Sequence, residues 1–154
     1  MALNTSTLVN AIASHAAALG VFDNDPQHEP KNAPGGDLTC AVWAADMVPV
    51  LSSGLASTSV RVVFNVRICL PALNLSPWES DIIDPRIMDA CDALLRDYVG
   101  NFTLGGLIRE VDVRGAEGNP LSAAAGYLTQ DGKVYRVMTI FLPLVINDLW
   151  DEAP

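Results

Sequence analysis

Between Thr58 and Leu70 the chain alternates strictly, with Val62, Phe64, Val66, Ile68 and Leu70 pointing one way and Arg61, Asn65 and Arg67 the other. A period of two is the signature of a half-buried strand, and it demands a sheet with one face on a core and one face wet. Something apolar must cover the first face. Two segments offer it. Residues 7–19 place Leu8, Ile12, Ala16 and Leu19 on one helical stripe, with Ser6 or Thr7 as cap and Gly20 as stop. A second helix opens with Asp84 as N-cap and Pro85 at its first position, carries Ile87, Met88, Cys91, Leu94, Leu95 and Tyr98 on one stripe, and stops at Gly100. Asp92 and Arg96 stand one turn apart on its exposed side.

Further strands are expected at 38–48, at 106–114, and at 121–130 and 133–142 around an Asp131-Gly132 turn. That dipeptide between two alternating runs is a strong hairpin signal. Pro143 demotes the residues after it to an edge or an exit. Strands and helices do not alternate as a doubly wound sheet requires. The expected class is therefore α+β, with two helices packed on one face of a mainly antiparallel sheet of five strands. A chain of 154 residues, half of them apolar, suits a single domain with a real core, its ends near 1–6 and 151–154 being flexible.

Eighteen acidic against nine basic side chains leave a net charge of −9, and no window gathers basic residues, which argues against nucleic-acid binding through a basic face. The first basic residue is Lys31, so the apolar stretch 8–22 lacks the positive start of a secretory signal, and the protein is expected to stay where it is made. The apolar run 137–146 is far short of the ~20 residues that cross a bilayer, so no membrane role is expected. Cys40, Cys69 and Cys91 are odd in number and embedded in apolar pattern, which reads as reduced core thiols.

Chemistry is hard to place on these residues. His15 and His28 stand apart from one another and from any cysteine pair, so no metal site and no cofactor are expected. Nucleophile-elbow, dinucleotide and phosphate-loop signatures do not occur, and no catalytic residue is assigned. What stands out is a set of contact candidates. The turn from Pro49 to Ser57 is rich in Gly and Ser yet holds Val50, Leu51 and Leu55, which are either tucked back or waiting for a partner. The long irregular loop 23–37 contains His28, Glu29, Pro30 and Lys31. Trp150 stands in the apolar segment after the last hairpin and either finishes the core with Ile146 and Leu149 or meets a partner.

The order of these elements carries a resemblance. A helix running into the loop His28-Glu29-Pro30-Lys31-Asn32-Ala33-Pro34-Gly35 is followed by a strand pair and a helix opening Asp84-Pro85. A hairpin then closes the chain, ending Pro143-Leu144-Val145-Ile146-Asn147-Asp148-Leu149-Trp150. The whole resembles the tail terminator proteins of long-tailed phages, especially phages of actinobacteria, over residues 8–150. The resemblance implies a virion protein assembled in the host cytoplasm: a homo-hexameric ring on the head-proximal end of the tail. Its partners would be its own copies, the tail tube protein and the head–tail connector or neck protein, with genomic DNA passing through without specific binding. No enzymatic activity is implied.

A neck or tail-completion protein is the alternative in the same class. From another class, two arginines on one strand face could grip a carboxylate or phosphate, making a small-molecule or hydrolytic site around Arg61, Asn65 and Arg67. An acidic interaction protein mimicking DNA ranks last, because the carboxylates are scattered.

Overall fold

The structure is a computed structural model that describes residues 2–23, 26, 27, 29, 30, 37–51, 56–72 and 77–152. Two helices and five strands follow the order α1 (Thr5–Leu19), β1 (Thr39–Pro49), β2 (Ser57–Pro71), α2 (Pro77–Gly100), β3 (Glu110–Val111), β4 (Ser122–Gln130) and β5 (Lys133–Asp151). Every strand pair is antiparallel. The expected α+β class is what forms.

β5 is the spine of the sheet. One of its sides pairs with β2 along almost the whole length, from Pro71↔Tyr135 to Ser57↔Asp151. Its other side is shared, first by β4 through the Asp131-Gly132 hairpin and then by the short β3. Both turn residues have positive φ, 51° and 73°, as a two-residue hairpin requires. β5 therefore does not stop at Pro143. The carbonyl of Pro143 accepts from Asp112 N at 2.9 Å, so the missing N–H faces the side where β4 has ended and β3 takes over. The ring costs no ladder bond there.

The alternation of β2 is realised as written. Val62, Phe64, Val66, Ile68 and Leu70, joined by Val60, are buried in one cluster with Leu8, Val9, Ile12, Ala13 and Ala16 of α1 and Ile87, Ala90, Cys91, Leu94 and Tyr98 of α2. β5 contributes Met138, Ile140, Leu142 and Leu144 from the same face. Tyr98 is the keystone between the helices, its hydroxyl donating to Ile12 O at 3.3 Å.

Several boundaries differ from the sequence reading. Asn4 caps α1, accepting from Thr7 N at 3.1 Å, so neither Ser6 nor Thr7 is the cap and both lie inside the helix. Gly20 ends it with φ 67° as expected. α2 begins two turns earlier than Asp84, at Pro77, with Pro85 inside it. Asp84 is thus no cap; its carboxylate takes Arg136 Nε at 2.9 Å and ties the helix to β5. Met88 is exposed rather than part of the stripe. β3 shrinks to two residues because the chain before it turns back on itself, with Leu104, Gly105 and Gly106 all at positive φ.

The second sheet face is not uniformly wet either. At one end Cys69, Tyr135 and Val137 form a second buried cluster. Pro26 and Pro30 lie at that end: Pro26 O accepts from Val42 N on the outer edge of β1, and Pro30 O accepts from Gln130 Nε2 on β4. At the other end the turn after β3 lies over Arg61 and buries it. Only the middle of the face is open.

Candidate assembly surface

The contact candidates separate into two groups. The pairing of β2 with β5 sets Thr58 beside Trp150, and Glu152 N donates to Ala56 O, which brings the β1–β2 turn and the end of β5 to the same end of the sheet. Val50 is tucked back, 7% exposed, its N–H on Ser59 O at 3.0 Å. Leu51, one residue on, is fully exposed, while Leu55 lies outside the described residues. Trp150 is 40% exposed even though its neighbour Leu149 is buried and Ile146 packs on the core. The core is thus finished by Leu149 and Ile146, and Trp150 projects beyond it.

Met47 and Val48 add to this end, each nearly half exposed, and the sequence reading did not single them out. Both follow a bulge in β1 between Ala44 and Asp46. From Ala44 onward every residue of β1 is exposed. A bulge leaves no mark in an apolar pattern, although the charge of Asp46 in an otherwise apolar run was a signal that this half is not buried.

The loop candidates lie toward the opposite end. Glu29 is exposed and Pro30 half-buried beside Gln130, while His28 and Lys31 lie outside the described residues. Among the described residues, Glu29 and Pro30 of the loop are thus not brought to the apolar turn.

Across the open middle of the second face runs one row, Trp43 on β1, Asn65 on β2, Phe141 on β5 and Ser122 on β4. Asn65, Phe141 and Ser122 of this row floor a groove of about 600 Å³ bounded by Asp46, Arg61, Val63, Asn119 and Pro120. Asn65 Oδ1 is buried there with no hydrogen-bond partner among the described residues. The two arginines do not converge on the groove as a free anion clamp. Arg61 donates to the Asp112 carboxylate, 3.2 Å from Nε, and to Asn119 O. The Arg67 guanidinium lies 4.9 Å from the centre of the Trp43 ring, and its Nε approaches Thr139 Oγ1 at 3.4 Å.

Reactive groups lie within the core. Burial pushes the Cys69 thiol up to about 11, against the opposing pull of the Arg67 charge and a Thr39 hydrogen bond, and burial also raises Cys91. A thiol so held is protonated and poorly nucleophilic. His15 stands edge-on to Tyr98 with ring centres 5.3 Å apart and its Nδ1 3.8 Å from Asp97, a contact between the two helices. Among the described residues no group of three or more His, Cys, Asp or Glu could hold a metal ion, and no helix is long and apolar enough to cross a membrane. The chain matches no known protein-family model and no curated protein.

Proposed function

We propose that this protein is a structural component of a long-tailed phage, a tail terminator whose copies form a ring, six in the resembled family, on the head-proximal end of the tail tube. The observation that carries the reading is the apolar end of the sheet. Leu51 is fully exposed at the same end of the sheet as the exposed Met47, Val48 and Trp150, although the core is already closed by Val50 and Leu149. Large side chains left outside a finished core mark a contact face. A ring repeats one head-to-tail contact around its axis, so the same end can meet a different patch on the next copy. The tail tube and the connector or neck protein are the other partners. A net charge of −9 on each copy opposes adhesion of DNA, which bears one charge per about 1.7 Å of axis, and so suits a bore through which the genome slides.

Native mass spectrometry over a concentration series, with negative-stain images, tests the ring on the wild type and on Leu51→Asp. A sixfold mass with ring-shaped particles, lost in a folded Leu51→Asp variant, is the expected result. Rings of wild-type yield from Leu51→Asp would overturn the assignment of this end. Immunogold labelling of virions separates a terminator from a neck or completion protein by position.

The groove over Asn65 favours one second reading, a binding site for a small neutral or donor-bearing molecule, since a buried acceptor without a partner costs free energy that a ligand N–H could recover. A stable monomer whose Asn65→Leu variant loses binding of a fragment in a ligand screen would select it.

A further inference from the structure

Backbone groups of the sheet face outward on β1, on the short β3, on the end of β5 beyond β3 and on β4, and they are not treated alike. On β1 the outward-facing residues are Cys40, Val42 and Ala44 before the bulge, and Met47 and Pro49 after it, because Val42 N donates outward to Pro26. Each stretch is blunted. Pro26 covers the first half, the bulge at Ala45 bends the second, Asp46 Oδ1 accepts from Met47 N at 2.8 Å, and Pro49 has no N–H to offer. These are the devices by which natural sheets refuse a neighbouring strand. β3 is two residues long and offers too little to pair with.

β4 has none of these protections. Its register with β5 is unbroken from Ser122↔Phe141 to Gln130↔Lys133, so it contains no bulge. It contains no proline, and from Asn119 to Gln130 no charged side chain. The hairpin closes at Gln130↔Lys133, so the even-numbered residues bond to β5 and Ala123, Ala125, Tyr127 and Thr129 point their N–H and C=O groups outward. No described residue bonds to those backbone groups, and all four residues are exposed. A straight, uncharged edge nine residues long in a chain that blunts its other edge is a pairing surface.

We propose that β4 is a self-association edge, pairing antiparallel with β4 of a second copy about a two-fold axis. The second copy follows from elimination and from charge. Among the described residues another copy offers no other long unblunted edge, since β1 is blunted, β3 is short, and the end of β5 beyond β3 is bent at Asp148, where φ is 49°. Two molecules of net charge −9 repel, and the seam between them must be neutral, as this strand is. The pairing that uses all nine residues places Gly126 opposite Gly126 on the axis, Ala125 opposite Tyr127 and Ala123 opposite Thr129. Gly126 bonds inward, so it falls in the close, non-hydrogen-bonded position, where Cα atoms stand about 4.5 Å apart. Each outward residue then donates one hydrogen bond and accepts one, and two five-stranded sheets become continuous. A two-fold contact cannot be the repeated contact of a ring, so this pairing stands apart from the proposed function and either can fail alone.

Sedimentation velocity on the full chain from about 2 to 200 µM tests it. With the ring contact broken by Leu51→Asp, the protein should pass from monomer to dimer across that range. Ala125→Lys puts a charge on the seam at an exposed position, and Ala125→Pro removes an N–H that β5 does not use. Each should raise the dimer dissociation constant by at least about tenfold, with an unchanged far-ultraviolet spectrum. Gly126→Cys supplies a readout that needs no loss of function. A Cβ there meets only Val137 Cγ2 at 3.7 Å, and mild oxidation should link two copies through that residue while the three buried native thiols stay free. A Leu51→Asp protein that stays monomeric throughout, a lysine change on that background with undiminished dimerisation, or an unlinked Gly126→Cys would each overturn the proposal.

Discussion

Arg61 on β2 and Asp112 just after β3 form a buried ion pair, Nε to Oδ2 3.2 Å, with side chains 10% and 3% exposed. Asp112 does more than balance the charge. Its two oxygens also accept from Ala116 N at 2.8 Å and Glu117 N at 3.1 Å, so one carboxylate shapes the turn that covers the arginine. Asp112→Ala strands a buried guanidinium and frees the turn, and urea denaturation should show a loss of about 3–5 kcal/mol. The double variant Arg61→Met with Asp112→Leu should recover part of that loss. A cost below about 0.5 kcal/mol for Asp112→Ala would mean that the turn does not close over Arg61.

Two glycines make that closure possible, and they should rank in a fixed order. A Cβ on Gly115 would lie 2.6 Å from Gly118 O and 2.9 Å from Pro120 N, backbone atoms that cannot swing aside, at a φ of 75°. One on Gly118 would meet Arg61 Nη1 at 2.9 Å, a side chain that can shift only by straining its bonds to Asp112 and Asn119. Thermal melting should show Gly115→Ala as the more damaging change, with Gly118→Ala costing about 1–3 kcal/mol.

Tyr98 gives a test of the helix layer. It is fully buried among α1, α2 and the sheet. Tyr98→Ala leaves a large cavity and should cost about 3–5 kcal/mol. Tyr98→Phe removes only the 3.3 Å hydrogen bond to Ile12 O and should cost about 0.5–1.5 kcal/mol in the same denaturation assay.

Adjacent residues in the β1–β2 turn should separate stability from assembly. Val50→Asp puts a charge into a buried position and should unfold the protein. Leu51→Asp changes a fully exposed side chain and should leave stability within about 0.5 kcal/mol while blocking assembly. Melting temperatures read beside particle counts decide the matter.

Alkaline pH should weaken the fold through its buried acids. The Cys69 thiol is raised from its ordinary value near 9 to about 11, and Cys91 and Tyr98 are raised as well, chiefly by burial. Below pH 9 the Cys69 thiol is protonated in both states and its full contribution is present. Between 9 and 11 the unfolded chain releases the proton while the folded one holds it, so stability falls as pH rises through that window. Cys69→Ala should show a shallower loss of melting temperature from pH 8 to 11 than the wild type.

Local rules and the alternation of β2 make the layer order legible in the sequence: strand faces, the Asp131-Gly132 hairpin and the Gly20 stop all follow from single-segment chemistry. What failed depended on neighbours. Pro143 ends a strand only when its missing N–H is needed, and which side β4 vacates is a fact of the sheet. Asp84-Pro85 is a good helix start in isolation, but the carboxylate finds Arg136 from another element. Arg61 looked like one wet residue among three because its cover, the turn at Asp112, is 51 positions away. The candidate surface was half visible: Leu51 betrays itself as an apolar residue in a Gly/Ser turn, whereas the exposure of Met47 and Val48 awaited the bulge at Ala45.

The spine position of β5 also sets a clock. β2 is made early, yet its inner side has no strand to pair with until β5 emerges, and their first and last pairs, Pro71↔Tyr135 and Ser57↔Asp151, close loops of very different length. At roughly 5–20 residues per second, the about 80 residues from Pro71 to Asp151 take on the order of 4–16 s to synthesise. For that interval the inner edge of β2 keeps its backbone groups unpaired, even though α1 and then α2 are already made to cover its apolar face, and only the arrival of the last strand completes the sheet. Slow codons between β2 and β5 would therefore lengthen the interval in which that strand edge stands open.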